Sequence, residues 1–378
     1  MSGLRVGVLG AGGQVGLAVL RGLCEDGGIS AVGICRNRVS SLRVASHGLK
    51  VRTTQTDDAK SLAESTRDLD ALVNCALPQY GPSKTSLANR RLANALATAC
   101  AKRHLVHLSS VAVYGDFISS EPTLFRSPRP DTAYGRQKLE METLLRKFAR
   151  SQRANCTILR VGHVYGPELR WSETILSLIN DTHFHLPFDG RRPSNAIAIS
   201  NLIEAVREVL LASDADATFN LTDSPQTPWR ELFDMHARAS STKFVRALRS
   251  SDSEAMAEQY RKWSQTGLFS RWVRESARWF LQLPGSYLTA VPSIKAFAQR
   301  AIATFGSENL DARLWALYCR HLAPHTNPCP FSNIHPLFFS DAVPGPHLEY
   351  HPAHPAKITS GLSDWYSVAF TPPERSRA

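Results

Sequence analysis

Leu4-Arg-Val-Gly-Val-Leu-Gly10-Ala-Gly12-Gly13-Gln14-Val15-Gly16 runs from an apolar stretch of strand propensity into a cluster of glycines, and the chain then resumes with Leu17, Leu20 and Leu23 at helical spacing. Physically this is a buried strand turning tightly into a helix N-terminus. Gly10 permits the turn, Gly13 lets the backbone approach a pyrophosphate, and Gly16 lets helix and strand pack closely. Gly12, Gln14 and Val15 belong to the same loop and are read with it as cofactor-binding. The first helical turn offers N–H groups and positive potential to an anion. Such a cluster can also be a plain tight turn; its place directly behind an opening strand favours the dinucleotide reading. Strand and helix patterns alternate to about Gly166, which predicts an α/β chain with a doubly wound parallel sheet.

A second strand, Ile29 to Cys35, ends in Cys35-Arg36-Asn37-Arg38. An NAD-preferring site usually carries an Asp or Glu there to bind the ribose 2′-hydroxyl. An acid would repel a 2′-phosphate, whereas Arg36 and Arg38 would pair with it. The expected cofactor is therefore NADP, with NAD the alternative. The competing reading makes these arginines solvated loop charges on a chain of net charge +11.

The chemistry-bearing residues lie further on. His104-Leu-Val-His-Leu-Ser109-Ser110-Val-Ala-Val-Tyr114-Gly115 reads as a strand whose end carries hydroxyls. Tyr134 and Lys138 follow at i and i+4, so a helix puts both on one face, with Asp131 or Thr132 as its N-cap. A tyrosine ionises near pH ~10, and a lysine ammonium one turn away lowers that value. Ser110, Tyr134 and Lys138 are the candidate catalytic residues, with Ser110 orienting a substrate oxygen. Tyr-x-x-x-Lys alone also occurs on ordinary helices as an exposed aromatic beside a lysine.

With these residues in place the chain resembles the extended short-chain dehydrogenases/reductases, which include the NAD(P)-dependent epimerases and dehydratases of nucleotide sugars. The shared landmarks are the Gly10/Gly13/Gly16 turn, Asp70-Ala-Leu-Val-Asn-Cys-Ala76 as the fourth strand over the cofactor, Asn89, and Ser109-Ser110 with Tyr114-Gly115. They continue through Tyr134/Lys138, the sixth strand Leu159-Arg-Val-Gly-His-Val-Tyr-Gly-Pro167, the stretches 195–206 and 219–222, and the closing Leu348-Glu-Tyr-His-Pro352 and Gly361-Leu-Ser-Asp-Trp-Tyr366. The resemblance implies a Rossmann-type fold: a cofactor-binding domain over residues 1–166, then a smaller, discontinuous substrate-binding region over 167–378, with 195–222 returning to the first domain. It adds Cys75, Ala76, Asn89, Ser109 and His163 to the cofactor-binding set. Arg191 and Arg192 fall where relatives place a basic residue on substrate phosphates, against the alternative of surface arginines. It also implies a homodimer through the helices around Ser86–Arg103 and Thr132–Arg150.

One departure narrows the chemistry. The 4,6-dehydratases carry an Asp-Glu pair directly after the active-site hydroxyl, and this chain has Val111-Ala112 there; a dehydratase would lack its acid/base pair. What remains is an NADP(H)-dependent reductase of a ketone on a nucleotide-sugar-like substrate. The alternatives are an epimerase that retains its cofactor, a reductase of steroid, terpenoid or other lipid-like ketones, and a non-catalytic NADP-binding scaffold.

Composition sets the remaining expectations. The first strand begins almost at Met1, leaving no room for a signal peptide. There is no apolar run long enough to span a bilayer. Seven cysteines without a C-x-x-C pair point to reduced thiols in the cytoplasm, with Cys35 and Cys75 expected in core strands. Residues 242–347 read as a divergent helical insertion, where Arg271, Arg274, Arg278, Lys295 and Arg300 alternate with Trp272, Trp279, Phe280, Phe297 and Phe305. Such helices pack on protein or lie peripherally on an acidic membrane. The basic residues are scattered and no nucleic-acid-binding module is present. His321, His325, His347, His351 and His354 are read as loop histidines, with no metal site.

Overall fold

The structure, a computed structural model, describes residues 3–25, 27–78, 82–115, 128–130, 132–180, 186–212, 217–223 and 227–241. Its first half alternates strand and helix in the order β1 (Leu4–Leu9), α1 (Gln14–Glu25), β2 (Ile29–Cys35), α2 (Arg38–Ser46), β3 (Val51–Thr53), α3 (Ala59–Ser65), β4 (Ala71–Asn74), α4 (Pro82–Ala99), β5 (His104–Ser110), α5 (Ala133–Gln152) and β6 (Asn155–Val161). There follow β7 (His163–Tyr165), α6 (Arg170–Asn180), β8 (Ala196–Ala198), α7 (Ile199–Leu211), β9 (Thr218–Leu221) and α8 (Trp229–Ala239).

Seven strands make one parallel sheet in the order β3-β2-β1-β4-β5-β6-β9. The order reverses at β1, which has β2 on one side and β4 on the other. Ligands of such sheets sit in the crevice outside the strand ends at that point. Both faces are covered, so the strands read as continuous apolar runs rather than alternating ones. Val6, Val8, Val106 and Leu159 pack with Leu17, Leu20 and Leu23 of α1 and Leu202, Val206 and Val209 of α7. Leu9, Leu72, Leu105 and Ile158 pack on the other face with Leu92 and Leu96 of α4 and Met141 and Leu145 of α5.

β7 and β8 form a separate two-stranded parallel sheet. Buried Asp223, just past β9, anchors it: the carboxylate accepts from Tyr165 Oη (2.8 Å), Asn201 Nδ2 (2.7 Å) and the Ala198 amide (3.1 Å). Burial raises the Asp223 pKa, and these three donors oppose that rise.

Cys35 is a core strand residue, as expected, but Cys75 is not. β4 ends at Asn74, whose side-chain oxygen accepts from the Ala76 amide at 3.0 Å and turns the chain out of the sheet. Cys75 therefore lies in the turn beyond the strand. Residues 242–378, with the proposed insertion, the closing motifs and the late histidines, lie outside the described residues.

Candidate active site

The glycine loop lies at the switch point between β1 and α1. Gly10 has φ +78°, a left-handed conformation natural to glycine. A side chain there would meet the Ala76 nitrogen at 2.7 Å. Gly16 faces back on the same turn, and a Cβ on it would strike the Gly10 carbonyl. The bare backbone and the amide end of α1 together fit the approach of a dinucleotide pyrophosphate. Gln14 at the head of α1 reaches across to the start of α6, its Oε1 accepting from the Arg170 amide at 3.2 Å.

Arg36 and Arg38 flank Asn37 where β2 gives way to α2, and both are exposed. Asn37 caps α2 by accepting from the Ser40 amide at 2.9 Å. Arg43 on the same helix donates to the Gly12 carbonyl at 3.1 Å. α2 is thus tied to the glycine loop, with two arginines at its entrance.

Ser110 is the last residue of β5 and the N-cap of a short 3-10 helix, Val111–Tyr114, its Oγ accepting from the Ala112 amide at 3.2 Å. Thr132 caps α5 through the Gly135 amide at 2.9 Å, one of the two candidate caps read from the sequence. Gly135 lies so close to the Ala112 carbonyl that a side chain would not fit, which seats the start of α5 on the turn after Ser110. Tyr134 is 38% exposed, whereas Lys138, one turn on, is buried. The Lys138 ammonium lies 5.8 Å from the Tyr134 ring centre and donates to the Leu108 carbonyl at 2.7 Å, two residues before Ser110.

Burial pulls the Lys138 pKa down to about 8 from 10.5, with Cys75 and Glu142 opposing the fall. Between those values the unfolded chain holds the proton and the folded chain releases it. Stability of the cofactor-free protein should therefore rise with pH from about 8 towards 10.5, by a total on the order of 3 kcal/mol from this group. Thermal unfolding of wild type and Lys138→Met across that range would measure it. Parallel pH dependence in the two proteins would remove the lysine as its source.

Beneath the hydroxyls runs a buried polar chain that sequence reading missed. Ser109 donates to Glu142, and Arg160 clamps the same carboxylate through Nε (3.1 Å) and a terminal nitrogen (2.7 Å). The other terminal nitrogen of Arg160 donates to Tyr114 Oη (2.8 Å), which donates to Asn220 (2.8 Å). Glu142 is Lys138 plus four, hence on the same helix face, and that spacing was the available signal. Ser109 thus faces α5.

The other predicted residues are distributed as follows. Ala76 packs on Gly10, and Cys75 is electrostatically coupled to Lys138, with burial holding its thiol up at about 12. The Asn89 amide is buried between α4 and α5, donating to Glu140 at 2.7 Å. His163 opens β7 two residues beyond Val161, the register partner of Ser110, and its ring lies 4.3 Å from Trp171 and 5.8 Å from Trp229. Arg191 is exposed beside Asp189 at 3.7 Å, and Arg192 lies over the Phe188 ring at 4.6 Å.

A family model described as the NAD dependent epimerase/dehydratase family matches residues 6–219, more than half of the chain. The chain belongs to that family. Among curated proteins none matches. The epimerase/dehydratase fold is also found in solved structures. UDP-glucuronic acid 4-epimerase from Bacillus cereus, in complex with NAD, is 21% identical with a TM-score of 0.53, over 65% of this chain and 88% of that one. UDP-N-acetylglucosamine 4-epimerase from the same organism is 20% identical with a TM-score of 0.53, over 65% and 85%. A dTDP-glucose 4,6-dehydratase from Streptomyces venezuelae is 18% identical with a TM-score of 0.51, over 65% and 84%. At these identities they establish a common fold. Membership of the family makes the chain an enzyme of the extended short-chain dehydrogenase type.

Proposed function

We propose that this enzyme is an NADP(H)-dependent oxidoreductase acting on a ketone or alcohol of a nucleotide-sugar-like substrate. The observation that carries the reading is the Lys138 ammonium, buried under the exposed Tyr134 and anchored on the β5 carbonyl two residues from Ser110. A nicotinamide bound along the glycine loop would supply or accept the hydride. Tyr134 delivers its phenolic proton to the substrate oxygen on reduction and removes it on oxidation. Lys138 stabilises the phenolate that results, which lowers the barrier in both directions. Ser110, its oxygen already accepting from Ala112, is left to donate its own proton to the substrate oxygen and orient it.

Arg36 and Arg38 support NADP, as they place positive charge where a 2′-phosphate would lie. Replacing both by alanine is expected to weaken NADPH binding by roughly 10- to 100-fold, the value of one or two charge-assisted contacts, and to spare NADH. Equal loss for both nucleotides would refute the assignment. Titration of the stripped protein with each nucleotide, and identification of any nucleotide released on denaturation, test the wider reading. A freely exchanging NADPH site favours the reductase.

Tightly retained NAD(P)+ would instead favour an epimerase, a second reading that the 4-epimerases among the structural neighbours support. Buried Val111 and neighbouring Ala112 supply no acid/base pair beside Ser110, which argues against water elimination. We further propose a cytoplasmic homodimer packed through α4 and α5; Leu87 of α4 is exposed in the single chain.

A further inference from the structure

We infer that His107 is a positioning residue of the cofactor site, holding the Cys75–Ala76 turn against Gly10 through Asn74. The inference rests on the reading of that turn as cofactor-contacting.

His107 and Asn74 are register partners on adjacent strands β5 and β4, and neither has any exposed surface. Asn74 Nδ2 lies 3.0 Å from His107 Nδ1, and the Ala76 amide donates to Asn74 Oδ1 at 3.0 Å. The Ala76 donor fixes which end of the Asn74 amide is oxygen. The nitrogen must then face the imidazole, so Nδ1 accepts and the ring proton sits on Nε2. Burial, reinforced by the Lys138 charge and opposed by a backbone contact with Asn74, holds the ring pKa well below the ordinary value, which favours the neutral ring that can accept.

Among the described residues the Nε2–H has no hydrogen-bond partner. A phenylalanine or leucine at this fully buried position, opposite its register partner Ile158, would leave no orphaned donor, so packing does not account for a histidine here. What the imidazole provides is an acceptor for Asn74. The constraint passes to the turn, because the Cys75 amide donates to the Leu9 carbonyl at 3.0 Å and the Ala76 nitrogen would be 2.7 Å from a Cβ on Gly10. Little room remains for the turn to shift without closing on the glycine loop.

Two substitutions separate this role from packing. His107→Phe keeps ring volume and removes the acceptor; His107→Asn puts an oxygen at the Nδ1 position and leaves a cavity. Titration of the full-length protein with NADPH and NADH, alongside thermal unfolding, should show the two properties changing in opposite senses. The Phe variant retains thermal stability and loses roughly 5- to 100-fold in nucleotide affinity, the effect of an orphaned buried amide that lets the turn move. The Asn variant is less stable and binds as wild type. Asn74→Ala removes both bonds from the other side and carries the same test if the Phe variant does not fold. Nucleotide affinity of the Phe variant, or of Asn74→Ala, equal to wild type would overturn the inference. A wild-type protein that binds neither nucleotide would instead overturn the site reading beneath it.

Discussion

Replacing Tyr134 by phenylalanine is expected to lower turnover by roughly 10²- to 10⁴-fold, the usual worth of a positioned acid/base group, and to leave nucleotide binding intact. Tyr134 is 38% exposed, so the change falls at a solvent-facing position and keeps the volume of the ring. Lys138 keeps its anchor on the Leu108 carbonyl whether or not a phenol lies beside it. The loss therefore falls on the proton transfer, and kcat and kcat/KM should decline together. Steady-state kinetics on a reducible ketone, with NADPH titration in parallel, provide the measurement. A variant with wild-type turnover would end the case for Tyr134 as proton donor.

Arg160→Met is expected to have the largest effect on stability, on the order of 3 to 5 kcal/mol. The carboxylate of Glu142 is almost wholly buried, and Arg160 pairs with it directly at 2.7 Å. Without it the buried carboxylate loses its direct ion pair between α5 and the sheet and, among the described residues, keeps the Ser109 hydrogen bond and the more distant Lys138 charge. Pairing the change with Glu142→Gln removes the carboxylate charge and keeps an acceptor for Ser109, so the double variant should be more stable than Arg160→Met alone. Chemical denaturation of the two proteins decides it. If the double variant is no better, the cost lies in lost packing on Tyr114, whose ring is 5.0 Å from the guanidinium.

The parts of this site visible in the sequence are those fixed by local geometry. Gly10 and Gly16 are demanded by backbone contacts within one turn, and Tyr134 with Lys138 needs only the pitch of a helix. Asn74 with His107, and Glu142 with Arg160, were missed because their partners meet only once strand register and helix placement are set. The two pairs are separated by 33 and 18 residues. Cys75 was misplaced because a side-chain contact, Asn74 to the Ala76 amide, ends β4 earlier than its apolar run suggests. Arg191 and Arg192 were located by position, but their directions follow a kink at Phe188 and Asp189, both at positive φ, which no residue type there announces.

The last strand of the main sheet is supplied late. β9 joins β6 through Ile158 to Val161 opposite Thr218 to Leu221. During synthesis, therefore, the complete glycine loop and all three catalytic candidates emerge while β6 is still a bare edge, a row of unpaired backbone groups that invites association with other chains. Shielding of that edge waits for more than fifty further residues, so a fragment stopped at Gly166 would carry the machinery and remain prone to aggregate.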